Sequence, residues 1–486
     1  MTAEAEVRKL HSSLDHPVVD GDGHIVESWP LFFRYLEKVG GSEMQEGFVK
    51  ELRQRSIFSS GDREWGIPRM PWWGTTTNTR DLATVMLPKL LYERVDELGL
   101  DFVILYPSLG LVLPTIQDEK ARRGALRALN TMNAEITAPY ADRMTAVAMI
   151  PMHTPEEAVE EIDYVTEKLG MKVAVIPAGV TRPIPALHRE YPDAFPAAYY
   201  LDCYGFESLH DYSPVWEAFQ KHNLAVTAHG APGNRYLPLP RRSATNYMYN
   251  HILGHAYQQT ELCLSLVMGG VPKRYPNLNI AFLEGGAGWA CDLLHGIEEH
   301  YEKRNAEGIH NYDPGNIDRD LMAKLFEQYG QYSSEKIVPN PDGGAGDGGT
   351  ARDRADLDEF AASLLKDEGD LAEIFGRRFF FGCEADDRSV YRAVDAKGNA
   401  FGLKLRPFFS SDIGHWDVPH ISEVLLESHQ LVDQGLLTDD DYRDFVFTNP
   451  VRLHAEMNPS FFDGTPVEQA AKALLKAGAE SSAGGA

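Results

Sequence analysis

Short, unbroken apolar runs recur along the chain, each followed or preceded by a stretch with helical spacing. The runs are HPVVD (16–20), DFVILYP (101–107), MTAVAMI (144–150), KVAVIP (172–177), LAVTAH (224–229), LNIAFLE (278–284), RFFFGCE (378–384) and RPFFSSD (406–412). Runs with no apolar–polar alternation predict strands buried on both faces, as in a parallel sheet. Between them lie amphipathic segments, among them DLATVMLPKLLYERVDELGL, ARRGALRALNTMNAEITAPYADR and SPVWEAFQKHN. HTPEEAVEEIDYVTEKLG adds a start signal: Thr154 as N-cap, Pro155 at the first helical position and Glu157 three after the cap, a capping box. Eight strands alternating with helices predict an α/β fold, a (β/α)8 TIM barrel.

Two stretches interrupt this pattern. Residues 40–80 hold Trp65, Trp72 and Trp73 with little periodicity. An insertion after the first strand lies over the catalytic face of a barrel, so it reads either as a substrate lid or as a packed outer loop. Residues 338–356, VPNPDGGAGDGGTARDRAD, read as a mobile surface insertion within a longer one, about 330–375, after the sixth strand. The expected division is an N-terminal arm (1–15), a barrel domain (16–460) and a tail (461–486) that frays or reaches onto a neighbour. No internal repeat is visible.

Composition narrows the partners. Among 486 residues, 46 are basic and 72 acidic, a net charge of −26. Nucleic acid and anionic membranes both require a basic face, so neither is an expected partner. No window approaches 18 consecutive apolar residues, and MTAEAEVRKLHSSLDH has no apolar signal core. Cys203, Cys263, Cys291 and Cys383 are scattered without a CxxC pair, which reads as buried reduced thiols in a cytoplasmic protein.

Chemistry gathers at the strand ends, where barrels place their active residues. The first strand runs into Asp20, Gly21, Asp22, Gly23 and His24, with Glu27 beyond. The fifth ends in His229, the sixth in Glu284, the seventh in Glu384 with Asp386 and Asp387, and the eighth in Asp412 with His415 three later. Strand period two points Asp22 and His24 the same way. Imidazole nitrogen with carboxylate oxygen is a ligand set for Zn²⁺ or Mn²⁺. The plainer readings are a solvated polar turn for Asp22 and His24, a core histidine for His229, an ion pair at the rim for Glu284 and a helix N-terminus for the Glu384 cluster. HILGH sets His251 and His255 at i,i+4, but away from the strand ends and without the Glu of HExxH. GGAGW (285–289) lacks a full GxGxxG and reads as a means of starting a helix close to the site.

The combination resembles the amidohydrolase superfamily, specifically its amidohydrolase-related branch that includes aminocarboxymuconate-semialdehyde decarboxylase. The resemblance is carried by Asp22 and His24 with Asp20 two before, His229 in TAHGAPG, Asp412 in SSDIGHWD, and the stretches YSPVWEAFQKHNLAVTAH, VPKRYPNLNIAFLEGGAGW and NPVRLHAEM. It spans roughly 16–460 apart from the insertions. It implies metal ligands Asp22, His24, His229 and Asp412, catalytic roles for Asp412, His415 and Glu284, and a homodimer. Three departures stand out: Asp22 where many relatives have His or Glu, Glu284 where the decarboxylases place a His, and Gly414 in place of a Pro. The fourth strand ends in Pro177 with no Lys near it, whereas dinuclear members carry a carbamylated Lys there, so one divalent ion is expected.

The leading expectation is hydrolysis of a small organic, cyclic or aromatic substrate by metal-activated water. The alternative is non-oxidative decarboxylation of an aromatic or enoic acid, with Asp412 or His415 handling the proton. A barrel without catalysis, serving as a binding protein, is the third.

Overall fold

Each predicted run contains a strand. The protein is described here from a computed structural model, over residues 3–54, 61–64, 68–71, 73–108, 110–194, 198–230, 243–312, 316–330 and 358–483. The strands are β1 (Val19–Ile25), β2 (Phe102–Pro107), β3 (Met144–Ala146), β4 (Ala148–Met149), β5 (Ala174–Pro177), β6 (Val180–Pro183), β7 (Tyr199–Asp202), β8 (Val226–His229), β9 (Ile280–Phe282), β10 (Phe379–Glu384) and β11 (Pro407–Ser410). One sheet has the order β1-β2-β3, a second β11-β10-β9-β8-β5-β4, and all their pairings are parallel. The residues of β1, β2, β5, β8, β9 and β11 are buried throughout, as unbroken apolar runs predict.

The third run is divided. β3 pairs with β2 and β4 with β5, so the single stretch 144–149 passes from one sheet to the other. At the opposite edges the chain touches again: Asp412 N–H donates to the Asp22 carbonyl (3.1 Å) and His24 N–H to the Ile413 carbonyl (3.0 Å). The antiparallel β6–β7 hairpin is an addition that the sequence pattern did not reveal.

β1 is longer than its apolar run. It continues through DGDGH to Ile25, and its register against β2 shifts between Asp20 and Gly23. Asp22 and His24 therefore sit inside a bulged strand rather than in a turn beyond it. The glycines make this possible. A Cβ on Gly21 would lie 2.5 Å from Phe408 Cδ2, and one on Gly23 2.6 Å from Asp20 Oδ2.

The helices mostly follow their predicted signals. The segment before β2 is two helices, Thr79–Met86 and Pro88–Arg94, because Pro88 cannot continue the first. Thr154 accepts from Glu157 N–H as expected, but the Glu157 carboxylate does not return to the cap: it pairs with buried Arg122 at 2.5 and 3.1 Å. Residues 40–54, placed in an aperiodic insertion, belong to the broken helix Trp29–Gln54, which turns at Gly41 (φ 75°). Trp73 is 46% exposed, while Trp65 and Trp72, with residues 338–356, lie outside the described residues. The closing segment is a helix, Glu468–Ala483, anchored by buried Ala471 rather than a frayed tail. Phe461 and Phe462 pack edge-on to Phe102 at the start of β2.

All four cysteines are free and buried. No helix among the described residues is long and apolar enough to cross a membrane.

Candidate active site

The C-terminal ends of β1, β8, β9 and β11 converge on one buried cluster. Asp22 and His24 come from β1; His24 Nε2 lies 3.5 Å from Asp22 Oδ1 and 3.4 Å from Asp412 Oδ1. His229 closes β8, and its ring centroid is 5.3 Å from that of His24. Asp412 and His415 follow β11, with Oδ1 and Nδ1 2.6 Å apart. Glu284 follows β9 and lies 3.4 Å from His415 Nδ1 through Oε1 and 3.2 Å from His229 Nε2 through Oε2. Thus Asp22, His24, His229, Asp412, Glu284 and His415 are brought together from positions spread across the chain.

The backbone is strained where the carboxylates project. Glu284 and Asp412 hold φ of 57° and 52°, in the left-handed region where a side chain costs on the order of 1 kcal/mol or more. Asp20 supports rather than joins the cluster. Its carboxylate accepts from Ser411 N–H (2.9 Å), Ser411 Oγ–H (2.5 Å) and Asp22 N–H (3.3 Å), tying the end of β11 to β1. Burial raises its carboxyl to about 6.

Burial also sets the imidazoles. His24 is held well below the usual range by desolvation and by neighbouring His415 and His229. His229 is lowered chiefly by burial, and its Nδ1–H donates to the Gly230 carbonyl at 2.8 Å, leaving Nε2 as a bare lone pair. His415 behaves oppositely: against its burial, the Asp412 and Glu284 carboxylates hold it well above the ordinary value. Its ring lies 4.0 Å from His24.

The donor set suits a divalent cation. Asp22, His24 and His229 each offer one atom within 4.8 Å of the others, as do His24, Asp412 and His415. Asp22 Oδ1, His24 Nε2 and His229 Nε2 are buried without a hydrogen bond, an expensive state for lone pairs unless a cation satisfies them. Two neutral imidazoles with two carboxylates are the nitrogen–oxygen ligands of Zn²⁺ or Mn²⁺.

Other acids divide by position. Glu384 borders the site, sharing a group with Asp412 and Asp417, and burial raises its carboxyl to about 8. Asp387 instead accepts from Ser389 N–H and Oγ–H, and Asp386 is exposed. Glu27 is buried beyond the strand end. The GGAGW stretch starts the helix Gly288–Arg304 just after Glu284.

His255 is the residue that sequence reasoning set aside. It begins the helix Gly254–Met268, and its Nδ1 lies 3.1 Å from Glu284 Oε2. The i,i+4 spacing of HILGH was the available signal. His251 lies beside His255, their rings 5.5 Å apart, with Asp417 at 3.7 Å and Tyr247 at 3.1 Å. A cavity of about 900 Å³ opens beside Glu284 and His255, walled by Trp289, Glu384, Arg388 and Arg392.

Among solved structures, an amidohydrolase from Mycobacterium avium subsp. paratuberculosis is 13% identical, with 91% of this chain and 100% of that one covered and a TM-score of 0.51. The 2,6-dihydroxybenzoate decarboxylase from Rhizobium is 17% identical (90% and 98% covered, TM-score 0.49). The 5-carboxyvanillate decarboxylase from Novosphingobium aromaticivorans, complexed with manganese and 4-hydroxy-3-methoxy-5-nitrobenzoic acid, is 14% identical (90% and 96%, TM-score 0.49). At these identities the likeness is of fold alone, and the first of the three carries it. No curated protein matches. The amidohydrolase family profile matches residues 106–377, more than half of the sequence, taking in β3 to β9 with His229, His255 and Glu284. The chain belongs to the amidohydrolase family.

Proposed function

We propose that this protein is a metal-dependent carboxy-lyase that removes CO₂ from a small organic acid, aromatic or enoic. The observation that carries this reading is His415, an imidazole held between Asp412 and Glu284 beside His24. Decarboxylation replaces a C–COO⁻ bond by C–H, so the site must deliver a proton to carbon. A charged imidazolium fixed by two carboxylates is a positioned proton donor. In the proposed roles, Asp22, His24, His229 and Asp412 hold one Zn²⁺ or Mn²⁺. Such an ion would supply positive charge at the site, able to polarise an oxygen of the acid. Asp412 and Glu284 keep His415 charged and aimed. The substrate enters through the cavity beside Glu284, whose Trp289 wall suits a flat ring.

This reading includes closure of the two sheets into a (β/α)8 barrel, supported by the 144–149 crossover and by the Asp412–Asp22 and His24–Ile413 hydrogen bonds. It takes 16–460 as the barrel domain, with insertions of about 40–80 and 330–375 after its first and sixth strands, 1–15 as an arm and 461–486 as a tail. A cytoplasmic homodimer is part of it, supported by the four reduced cysteines and by the family resemblance.

Hydrolysis is the second reading, favoured by Glu284 Oε2, a buried acceptor without a hydrogen bond that would take a proton from water. A screen of hydroxybenzoates, enoic acids and cyclic amides in H₂¹⁸O and in D₂O separates the two. One deuterium on carbon per CO₂ released, without ¹⁸O, establishes the lyase. ¹⁸O in the organic product with no CO₂ establishes hydrolysis and ends the first reading.

A further inference from the structure

The cavity beside Glu284 and His255 is larger than a single-ring acid needs. Its volume of about 900 Å³ lies near the top of the ~300–1,000 Å³ range of pockets that take drug-sized ligands. Where it meets the site its lining is polar, with Glu284 and His255 3.1 Å apart. Elsewhere the lining is apolar and open: Ile252 and Leu253 belong to the same cavity and are 56% and 69% exposed.

Leu253 is out of place on structural grounds alone. Its φ of 62° is left-handed, a region that glycine and asparagine adopt far more readily. It is also the N-cap of the helix Gly254–Met268 and makes no side-chain hydrogen bond there, at a position where asparagine, aspartate or serine stabilises. At its exposure, little burial offsets either penalty. Strained residues of this kind persist where they clamp a ligand.

The other walls suit an apolar occupant. Trp289 is held edge-on to Phe282 and Phe381, both at 5.6 Å. Gly285 makes room for the indole, since a Cβ there would lie 3.0 Å from Nε1. The two arginines of the lining are engaged: Arg392 Nη1 donates to Asp292 (3.3 Å) and Arg388 Nη1 to Gln434 (2.9 Å). The cavity is therefore not built around a second carboxylate.

We propose that Ile252 and Leu253 determine specificity by clasping the apolar distal part of the substrate, an aromatic acid of two fused or linked rings. The substrate is the occupant that reaches Glu284 and covers Ile252 and Leu253 at once, because all three line one cavity. The inference rests on the carboxy-lyase reading only for placing the carboxylate at the metal cluster.

Calorimetric titration of the Mn²⁺-supplemented full chain tests it with 3-hydroxy-2-naphthoate and 2-hydroxybenzoate, which share a head and differ by one ring. Burial of the added ring should make the naphthoate bind about tenfold more tightly. Leu253→Asn, which suits the left-handed backbone, and Ile252→Asn should each cut that ratio by about threefold, with urea midpoints confirming that both fold. Equal affinities in the parent protein, no binding of either acid, or a ratio unchanged in both variants overturns the clasp. CO₂ released from 2-hydroxybenzoate at equal affinities overturns the clasp and leaves the lyase reading standing. The expected ratios, with ¹⁸O entering the organic product and no CO₂, uphold the clasp and end the lyase reading.

Discussion

Asp412 Oδ1 and His415 Nδ1 stand 2.6 Å apart on the loop after β11, with Asp412 in a left-handed backbone conformation. The same carboxylate oxygen lies 3.4 Å from His24 Nε2. One side chain thus faces a proposed ligand and a proposed proton donor, and removing the donor should separate the two functions. His415→Gln should lower turnover by about 10²- to 10⁴-fold, the range for loss of a general acid, while the bound metal stays the same. CO₂ release and metal analysis on the same preparation check this. Equal loss of metal and activity would assign His415 to the ligand set instead.

Metal binding should be visible as stability. A ligand that binds only the native state stabilises it by RT ln(1 + [L]/Kd), about 2.7 kcal/mol at a hundredfold excess over Kd. Adding Mn²⁺ to chelator-treated protein should therefore raise Tm by several degrees. In His24→Ala that increment should shrink sharply, since His24 faces both Asp22 and Asp412. An undiminished increment in the variant would place the ion elsewhere.

The glycine at 21 is predicted to be as necessary as the ligands. In Gly21→Ala the new methyl meets the Phe408 ring at 2.5 Å, and overpacking of this kind costs about 1–3 kcal/mol. Because β1 carries Asp22, the displacement should also weaken Mn²⁺ binding. A urea midpoint and an Mn²⁺ affinity both unchanged would show that β1 yields without moving its ligands.

Acid sensitivity should have a source far from the metal. His454 is buried in the helix Asn449–Ala455 and stacks on Phe461 at 4.7 Å. Burial, assisted by Lys172, lowers its pKa to about 3. The folded state therefore excludes a proton that the unfolded state binds below about pH 6.5. The contribution is neutral above that pH and becomes a loss as pH falls toward 3, about 2 kcal/mol by pH 5. His454→Leu should lose correspondingly less stability than the parent between pH 7 and pH 5, read from urea midpoints. Equal losses in both proteins would contradict this.

The sequence made the strands legible because burial on both faces writes them as unbroken apolar runs. It also exposed Asp22, His24, His229, Glu284 and Asp412, since those runs end in polar residues. His255 was illegible for a physical reason: i,i+4 spacing suggests one helix face, but His251 and His255 lie in separate helices, Tyr247–His251 and Gly254–Met268, parted by Leu253 in the left-handed region. The second helix is placed by Gln259, whose Nε2 donates to the Ala228 carbonyl in β8 and to the Leu283 carbonyl just past β9. The β6–β7 hairpin and the Trp29–Gln54 helix were missed because their faces are mixed. In the latter, Met44 packs where Gly124 of a neighbouring helix leaves room, a fit between residues distant in sequence.

The tie between Asp20 and Ser411 bears on the order in which the protein is made. The proposed ligands Asp22 and Asp412 are 412 − 22 = 390 residues apart, so a ribosome must release the residues between them before the two meet. Until then His24 has no Asp412 to face, and the partial chain offers the ion no site worth keeping. On the proposed ligand set, metal uptake follows synthesis of β11, and a bound ion would certify that β1 and β11 have found each other.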